Sequence, residues 1–309
     1  MLKKIIPTVA VLLSTYNGQQ YLQEQLTSIM EQQNVDVTLY VRDDGSQDDT
    51  LRILSEYKGK IKLFREDNIG VGNSFMQVLY QAGLNSDYYA FCDQDDIWLL
   101  NKLEQAILKI ADCQQPVLYC SNQTLTDGQG HIIKNRHQNI VDTSYMQILC
   151  DNKISGCTMV WNRALQGILY QVGRRPSDSL LVKRIHDVWV AMVASVAGRI
   201  IYDPASFILY RQHSNNVVGV KENSFFQEGF KKIRNPALRN GRSELAGEIV
   251  EKYRDLITDN ELLARLKHYA NYRHNWADAR TVWKDAAVIC QYSKEIPWHL
   301  KLKILFKVF

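Results

Sequence analysis

Three aspartates in four residues, Asp93-Gln94-Asp95-Asp96, close the apolar run Tyr88–Cys92. Carboxylates this close repel one another in a cleft of low dielectric. A divalent cation relieves the repulsion, and an oxygen-only ligand set suits Mg²⁺ or Mn²⁺, which keep waters and bridge to phosphates. The competing reading is structural: the same aspartates would cap and open a helix over Ile97–Leu108. A second acidic pair, Asp43-Asp44-Gly45-Ser46, follows Val37–Val41. Its residues are turn formers, yet a strand-end carboxylate can also accept a hydrogen bond from a ribose hydroxyl or a pyrimidine N–H. A third polar stretch, Thr15-Tyr16-Asn17, follows Val9–Ser14. Gly70-Val71-Gly72-Asn73-Ser74 has the glycines of a phosphate loop but lacks the G-x-G-x-x-G spacing, and it does not follow the first apolar run.

The elements around these clusters alternate. Val9–Ser14, Val37–Val41, Ile61–Phe64 and Tyr88–Cys92 are predicted strands. Tyr21–Gln32, Asp48–Tyr57 and Asn73–Ala82 are predicted helices between them. That alternation implies an α/β fold with a parallel sheet flanked by helices, where ligands bind beyond the carboxyl ends of the strands. One acidic turn there would be ordinary; three polar clusters on one edge describe a site. Further on, Val117–Ser121, Ser155–Trp161, Arg199–Tyr202 and Ile208–Arg211 are predicted strands, with helices at Arg163–Val172 and His186–Ala197. Beyond residue 225 the pattern is helical, with apolar positions Leu245, Ile249, Tyr253, Leu256, Leu262, Leu266 and Tyr269.

The chain of 309 residues is 46% hydrophobic and 23% charged, which excludes a disordered chain. Residues 1–220 carry 20 basic and 22 acidic side chains, and residues 221–309 carry 17 against 11. A near-neutral front with a basic tail disfavours a nucleic-acid binder. No stretch reaches the roughly 18 apolar residues of a membrane span. The six cysteines form no C-x-x-C pair and read as buried thiols of a reducing compartment. No G-x-S-x-G elbow and no P-loop lysine motif occurs. A sugar-nucleotide uridylyl- or thymidylyltransferase would want a glycine-rich, Arg/Lys-bearing loop after the first strand, where Ser14–Asn17 stands instead.

The order of motifs, Val11-Leu-Leu-Ser-Thr-Tyr-Asn17, then Asp43-Asp44-Gly-Ser46, then Asp93-Gln-Asp-Asp96, resembles the inverting glycosyltransferases of family 2 over about residues 5–215. Cys92-Asp-Gln-Asp-Asp-Ile-Trp98 and His186-Asp-Val-Trp189 look most like the bacterial rhamnosyltransferases of cell-wall polysaccharide or O-antigen synthesis. The resemblance implies a GT-A fold, Rossmann-like with a mostly parallel sheet, for a catalytic domain over 1–220. It implies an inverting nucleotide-sugar hexosyltransferase. Thr15, Tyr16, Asn17, Asp43, Asp44, Asp93, Gln94 and Asp96 would bind the nucleotide sugar. Asp95, Asp93 and His213 would hold Mg²⁺ or Mn²⁺, Asp187 would be the catalytic base, and His186, Trp189 and Arg211 would stand near the acceptor. The donor implied is dTDP-L-rhamnose and the acceptor a polyprenyl-diphosphate-linked saccharide. A UDP-hexose or UDP-N-acetylhexosamine donor, or a non-catalytic glycan-binding module, are the alternatives. The processive members' Q-x-x-R-W signature is absent, and Arg211-Gln-His213 stands in its region, which favours single-step transfer.

Residues 221–309 read as a helical, basic C-terminal region for membrane-surface association or oligomerisation. Over Ile296–Phe309, Lys301, Lys303 and Lys307 are interleaved with Trp298, Leu300, Leu302, Ile304, Leu305, Phe306 and Phe309, as in a helix lying in a membrane interface. Phe225–Arg234 would be a second contact. The expected location is cytoplasmic, peripheral at the inner face of the cell membrane, with a homo-oligomer left open.

Overall fold

A strand covered on both faces must be apolar throughout, and Val9–Leu13 is buried without interruption in β1 (Thr8–Thr15). The computed structural model describes residues 6–213 and 239–309. The expected contact at Phe225–Arg234 and the boundary near residue 220 lie outside the described residues. From β1 the chain runs through α1 (Leu22–Met30), β2 (Asp36–Asp43), α2 (Thr50–Ser55), β3 (Ile61–Arg65), α3 (Val71–Ala82) and β4 (Tyr88–Cys92). It continues with β5 (Ile97–Trp98), α4 (Lys102–Ile110), β6 (Val117–Thr126), β7 (Ile132–Asn135), α5 (Tyr145–Asp151), β8 (Val160–Asn162) and α6 (Arg163–Leu169). Then follow α7 (Asp178–Lys183), α8 (His186–Ala197), β9 (Arg199–Arg211), α9 (Gly241–Tyr253), α10 (Asn260–Asn271), α11 (Trp276–Lys284), α12 (Ala286–Gln291) and α13 (Pro297–Leu305).

Two compact units emerge. Among the described residues, the first comprises 6–141, 154–170 and 198–213, and the second 142–153, 171–197 and 239–309. All nine strands among the described residues belong to the first, in the order β3-β2-β1-β4-β8-β6-β9-β5, with β7 paired to β6. The stretch from β3 to β4 is parallel, as the alternation of elements required; β8 and β5 enter antiparallel. The strand order switches at β1, whose neighbours are β2 and β4. A crevice forms at such a switch point. Helix α3 turns Phe75, Met76, Val78, Leu79 and Ala82 into the core. Phe91, one residue short of the end of β4, packs on Phe75 with ring centroids 5.3 Å apart and on Trp161 at 4.7 Å.

Several expected elements are corrected. Ile97–Leu108 is not one helix: Ile97 and Trp98 pair antiparallel with Leu209 and Ile208 of β9, and α4 begins only at Lys102. The aspartates before it therefore cap no helix. A buried tryptophan with a ready partner strand overrides the helical pattern. Ser155–Trp161 is strand only from Val160, because Gly156–Thr158 makes a 3-10 turn. The two strands expected at 199–202 and 208–211 are one, β9, whose register against β6 slips beside Asp203-Pro204; a bulge accommodates the proline that a regular ladder would reject. The helices expected at Asp48–Tyr57 and Arg163–Val172 shorten to α2 and α6.

The second unit is helical in all its described elements. Helices α5 and α10 start on side-chain caps: Ser144 accepts from the Gln147 amide, and Asp259 from the Glu261 and Leu262 amides. Leu245, Ile249, Tyr253, Leu262, Leu266 and Tyr269 are buried as their spacing predicts, while Leu256 is half-buried. Phe309 packs edge-on against Tyr269 and Tyr272.

Candidate active site

The carboxyl ends of β1, β2 and β4 are tied together by their own polar side chains. Asp43, buried at the end of β2, accepts from Thr15 Oγ1 at 2.9 Å, from Ser46 Oγ at 2.6 Å and from the Ser46 amide at 3.0 Å. Asn17 takes a left-handed φ of 47°, which asparagine tolerates. There its amide donates to Ser46 Oγ at 2.9 Å, and its side-chain oxygen accepts from the Gln47 amide at 2.8 Å. Gln94 closes the other side of the rim: its Oε1 accepts from the Tyr16 amide at 2.9 Å, and its Nε2 donates to the Tyr16 carbonyl at 3.0 Å. A Cβ on Gly18 would lie 2.3 Å from Gln94 Oε1, so only glycine lets this clamp form. Tyr16 itself is exposed at the rim.

Asp44 points inward. It pairs with buried Arg42 and accepts from the amides of Ile69 at 3.0 Å and Gly70 at 3.1 Å. Arg42 also donates to Ser74 Oγ at 3.0 Å and to the Asp67 carbonyl at 2.9 Å. The glycine-rich loop therefore spends the Gly70 amide on Asp44. Gly70 sits before α3 at φ 83°, a backbone state that favours glycine.

The acidic cluster beyond β4 splits by burial. Asp93 is half-buried; Asp95 Oδ2 is hydrogen-bonded to His213 Nε2 at 2.8 Å. Asp96 is fully buried and accepts from the Arg211 amide at 3.1 Å. Burial, reinforced by Asp95 and Asp93, holds the Asp96 carboxyl well above the usual carboxylate range. One ligand atom each of Asp93, Asp96 and Cys157 lies within 4.8 Å of the others. The Arg211 guanidinium donates to the Asp95 carbonyl at 3.2 Å and the Gly128 carbonyl at 3.1 Å, pairs with Glu24, and lies 4.4 Å from the centre of the Tyr21 ring. His213 packs on the same ring at 5.0 Å. The fold thus brings Thr15, Tyr16, Asn17, Asp43, Asp44, Asp93, Gln94, Asp95, Asp96, Arg211 and His213 into one unit, nine of them joined by the hydrogen bonds around Asp43 and Asp95 or across Gln94.

Sequence reasoning missed several partners. Lys102 is buried beneath the acidic turn; its Nζ has no hydrogen-bond partner among the described residues and lies 3.9 Å from the centre of the Trp98 ring. Burial lowers its pKa to about 8 against the opposing pull of Cys157, Cys92 and Asp96. Arg42 and Glu24 were also missed. Arg42 had a signal, a lone arginine closing the β-branched run of β2; Glu24 and Lys102 had none, being single charges in amphipathic helices.

His186, Asp187 and Trp189 belong to the second unit. Asp187 stands in the first turn of α8, half-buried, with Oδ1 accepting from the Val188 amide at 2.6 Å. Trp189 is fully buried, 5.8 Å from the Tyr253 ring. Burial drives the His186 pKa down to about 3. Between pH 6.5 and 3 the unfolded chain therefore binds a proton that the folded imidazole refuses, so stability falls as pH falls through that window. The loss is on the order of 5 kcal/mol at its acid end. His186→Phe removes that part of the acid sensitivity, which urea denaturation of both chains across pH reads out; parallel losses in the two would exclude the ring as the cause.

The sequence profile of "Glycosyl transferase family 2" matches residues 10–168, more than half of the chain. The chain belongs to glycosyl transferase family 2. Over 270 residues it is 30% identical to the "dTDP-rhamnosyl transferase RfbG" of Shigella flexneri, covering 81% of this chain and 88% of that one. In fold this glycosyltransferase is similar to S. aureus TarS 1-349 solved with UDP, with a TM-score of 0.55 at 19% identity over 86% of this chain and 71% of that one. It is also similar to GalNAc-T7 solved with UDP, GalNAc and Mn²⁺, with a TM-score of 0.52 at 13% identity over 69% of this chain and 45% of that one. The GT-A-like fold expected from the motifs is the one observed, and the enzyme is a nucleotide-sugar glycosyltransferase.

A divalent metal is common in GT-A glycosyltransferases, and the donor set here fits one. Carboxylate oxygens with one imidazole suit Mg²⁺ or Mn²⁺. Burial raises the Cys157 thiol pKa well above its usual value, and a soft sulfur is a poor match for a hard cation. All six cysteines are free. No helix among the described residues is long and apolar enough to cross a membrane.

Proposed function

We propose that this glycosyltransferase moves L-rhamnose from dTDP-L-rhamnose, with inversion, onto a polyprenyl-diphosphate-linked saccharide of bacterial cell-wall polysaccharide synthesis. The observation that carries the donor assignment is the 30% identity to a dTDP-rhamnosyl transferase, spread over most of both chains. Transfer at an anomeric carbon needs the acceptor hydroxyl deprotonated on one face and the diphosphate stabilised as it leaves on the other. Asp187 takes the hydroxyl proton in this reading, supported by the His186-Asp187 motif and by a carboxylate that stands half-buried in the first turn of its helix. With one base and no enzyme nucleophile, the displacement is single and the configuration inverts. Asp95, Asp93 and His213 would hold Mg²⁺ or Mn²⁺, which neutralises charge on the leaving diphosphate when bound. Asp43, Asp44, Thr15, Tyr16 and Asn17 shape the rim for the base and ribose, with Gln94 and Asp96 beside them; His186, Trp189 and Arg211 support the acceptor side. Residues 221–309 associate with the inner face of the cell membrane, where such an acceptor resides.

The test is a panel of UDP-, GDP- and dTDP-sugars, scored for donor hydrolysis and transfer with and without Mn²⁺. Turnover of dTDP-L-rhamnose is expected. Turnover of a UDP-sugar in its place would overturn the rhamnose assignment and leave the family unaffected.

A further inference from the structure

The last helix is apolar on two faces. Leu300 and Ile304 are buried, while Trp298, Leu302, Leu305 and Phe306, at helical spacing on another face, are exposed, Trp298 by 58% and Phe306 by 70%. A surface helix needs only one apolar face to hold its place in a fold. Helix α11, which packs against α13, repeats the pattern. Its Val282 is buried, while Trp276, 82% exposed, and Trp283 stand seven residues apart and so share a face. Lys301 lies 5.3 Å from the centre of the Trp283 ring.

The exposed charges around these aromatics have one sign. Residues 276–309 carry six lysines and arginines against three acids, Asp278, Asp285 and Glu295, and none of the three acids is exposed. Glu295 is already held by Arg242 and Lys303, each at 3.0 Å. Lys294 and Lys307 are exposed, as are Arg280 and Lys284 on α11.

We propose that the outer faces of α11 and α13 form a docking surface for an anionic lipid bilayer. The contact gives physical content to the lipid-linked acceptor proposed above, and its purpose rests on that reading. Tryptophan and phenylalanine settle at the boundary of headgroup and acyl chain, where an apolar ring body and a wet edge are both accommodated. Lysines beside them meet the headgroup phosphates. A second copy of the chain is a poor occupant of the same face, because self-pairing would bring the exposed basic side chains of two copies together without an exposed acid between them.

Vesicle sedimentation of the full chain tests the assignment. Binding to vesicles of equal parts phosphatidylcholine and phosphatidylglycerol is expected, with little binding to phosphatidylcholine alone or in high salt. The double substitution W298S/F306S should lower the partition coefficient by at least about tenfold, and K294Q/K307Q by about fivefold per lysine. Truncating α13 is the poorer test, since it would also remove Leu300, Ile304 and Phe309 from the core. Lysine substitution touches no core residue, so K294Q/K307Q remains decisive if the aromatic variant does not fold. Equal sedimentation of the original and variant chains overturns the proposal. So does a dimer that W298S/F306S dissolves, which would assign the face to a second copy. Hydrolysis of a soluble nucleotide sugar should be unchanged in these variants, so loss of vesicle binding and failure of the transferase reading are separate results.

Discussion

Asp95→Ala is expected to lower sugar transfer about a thousandfold while leaving the protein folded. The Asp95 carboxylate sits at the mouth of the acidic cluster with its side chain 16% exposed, so its removal opens no core cavity. Its hydrogen bond is to His213 at 2.8 Å, and in the proposed reading the pair would supply ligand atoms to a cation. That reading gives the one residue two roles, a charge toward the diphosphate and a support for the imidazole. Asp95→Asn separates them, because the amide retains a hydrogen-bonding partner for the ring and discards the charge. If the charge matters, Asn is nearly as damaging as Ala, and His213→Ala raises the Mn²⁺ concentration needed for half-maximal rate. Rates measured across a Mn²⁺ titration decide this. Normal transfer by Asp95→Ala would detach the acidic cluster from the chemistry and favour a glycan-binding module instead.

Asp44→Ala is expected to cost roughly 3–5 kcal/mol of stability, the effect of stranding a buried charge. Arg42 is buried in the sheet with Asp44 as its carboxylate partner, helped by half-exposed Glu66 at 3.3 Å. Without Asp44 the guanidinium stays desolvated and the amides of Ile69 and Gly70 lose their acceptor. For a chain of this size the loss corresponds to roughly 10 °C in melting temperature. The double substitution R42M/D44L, which removes both charges, should recover much of it. Thermal unfolding of the three chains measures the effect, and the KM for the donor measures something else. A variant with unchanged melting but a raised KM would make Asp44 a nucleotide contact alone; a fall in both would make it a carboxylate that shapes the rim from within.

Local pattern was enough to place the polar clusters at strand ends. A five-residue apolar run can be a strand only where both faces are covered, and Val9–Leu13, Val37–Val41 and Tyr88–Cys92 alternate with amphipathic helices in a way that leaves few topologies. Once the strands are parallel, their carboxyl ends share an edge, and Thr15–Asn17, Asp43–Ser46 and Asp93–Asp96 must meet there. The motif order carried the family as well, because it records that same edge read three times along the chain. What happened between Cys92 and Lys102 was not legible. Helical periodicity and strand pairing compete over Ile97–Trp98, and the winner is set by β9, more than a hundred residues away in sequence.

The sequence alone determined the sheet, its loaded edge and the chemistry that edge can carry, because side-chain period and residue type are local properties. Tertiary structure alone decided which carboxylates face a ligand and which face inward. Asp44 and Asp96 look like Asp43 and Asp95 in the sequence, yet Asp44 is committed to Arg42 and Asp96 is buried against the Arg211 amide, while Asp95 reaches His213. Burial and distant partners set the energy of a charge, and neither is encoded within a few residues of it.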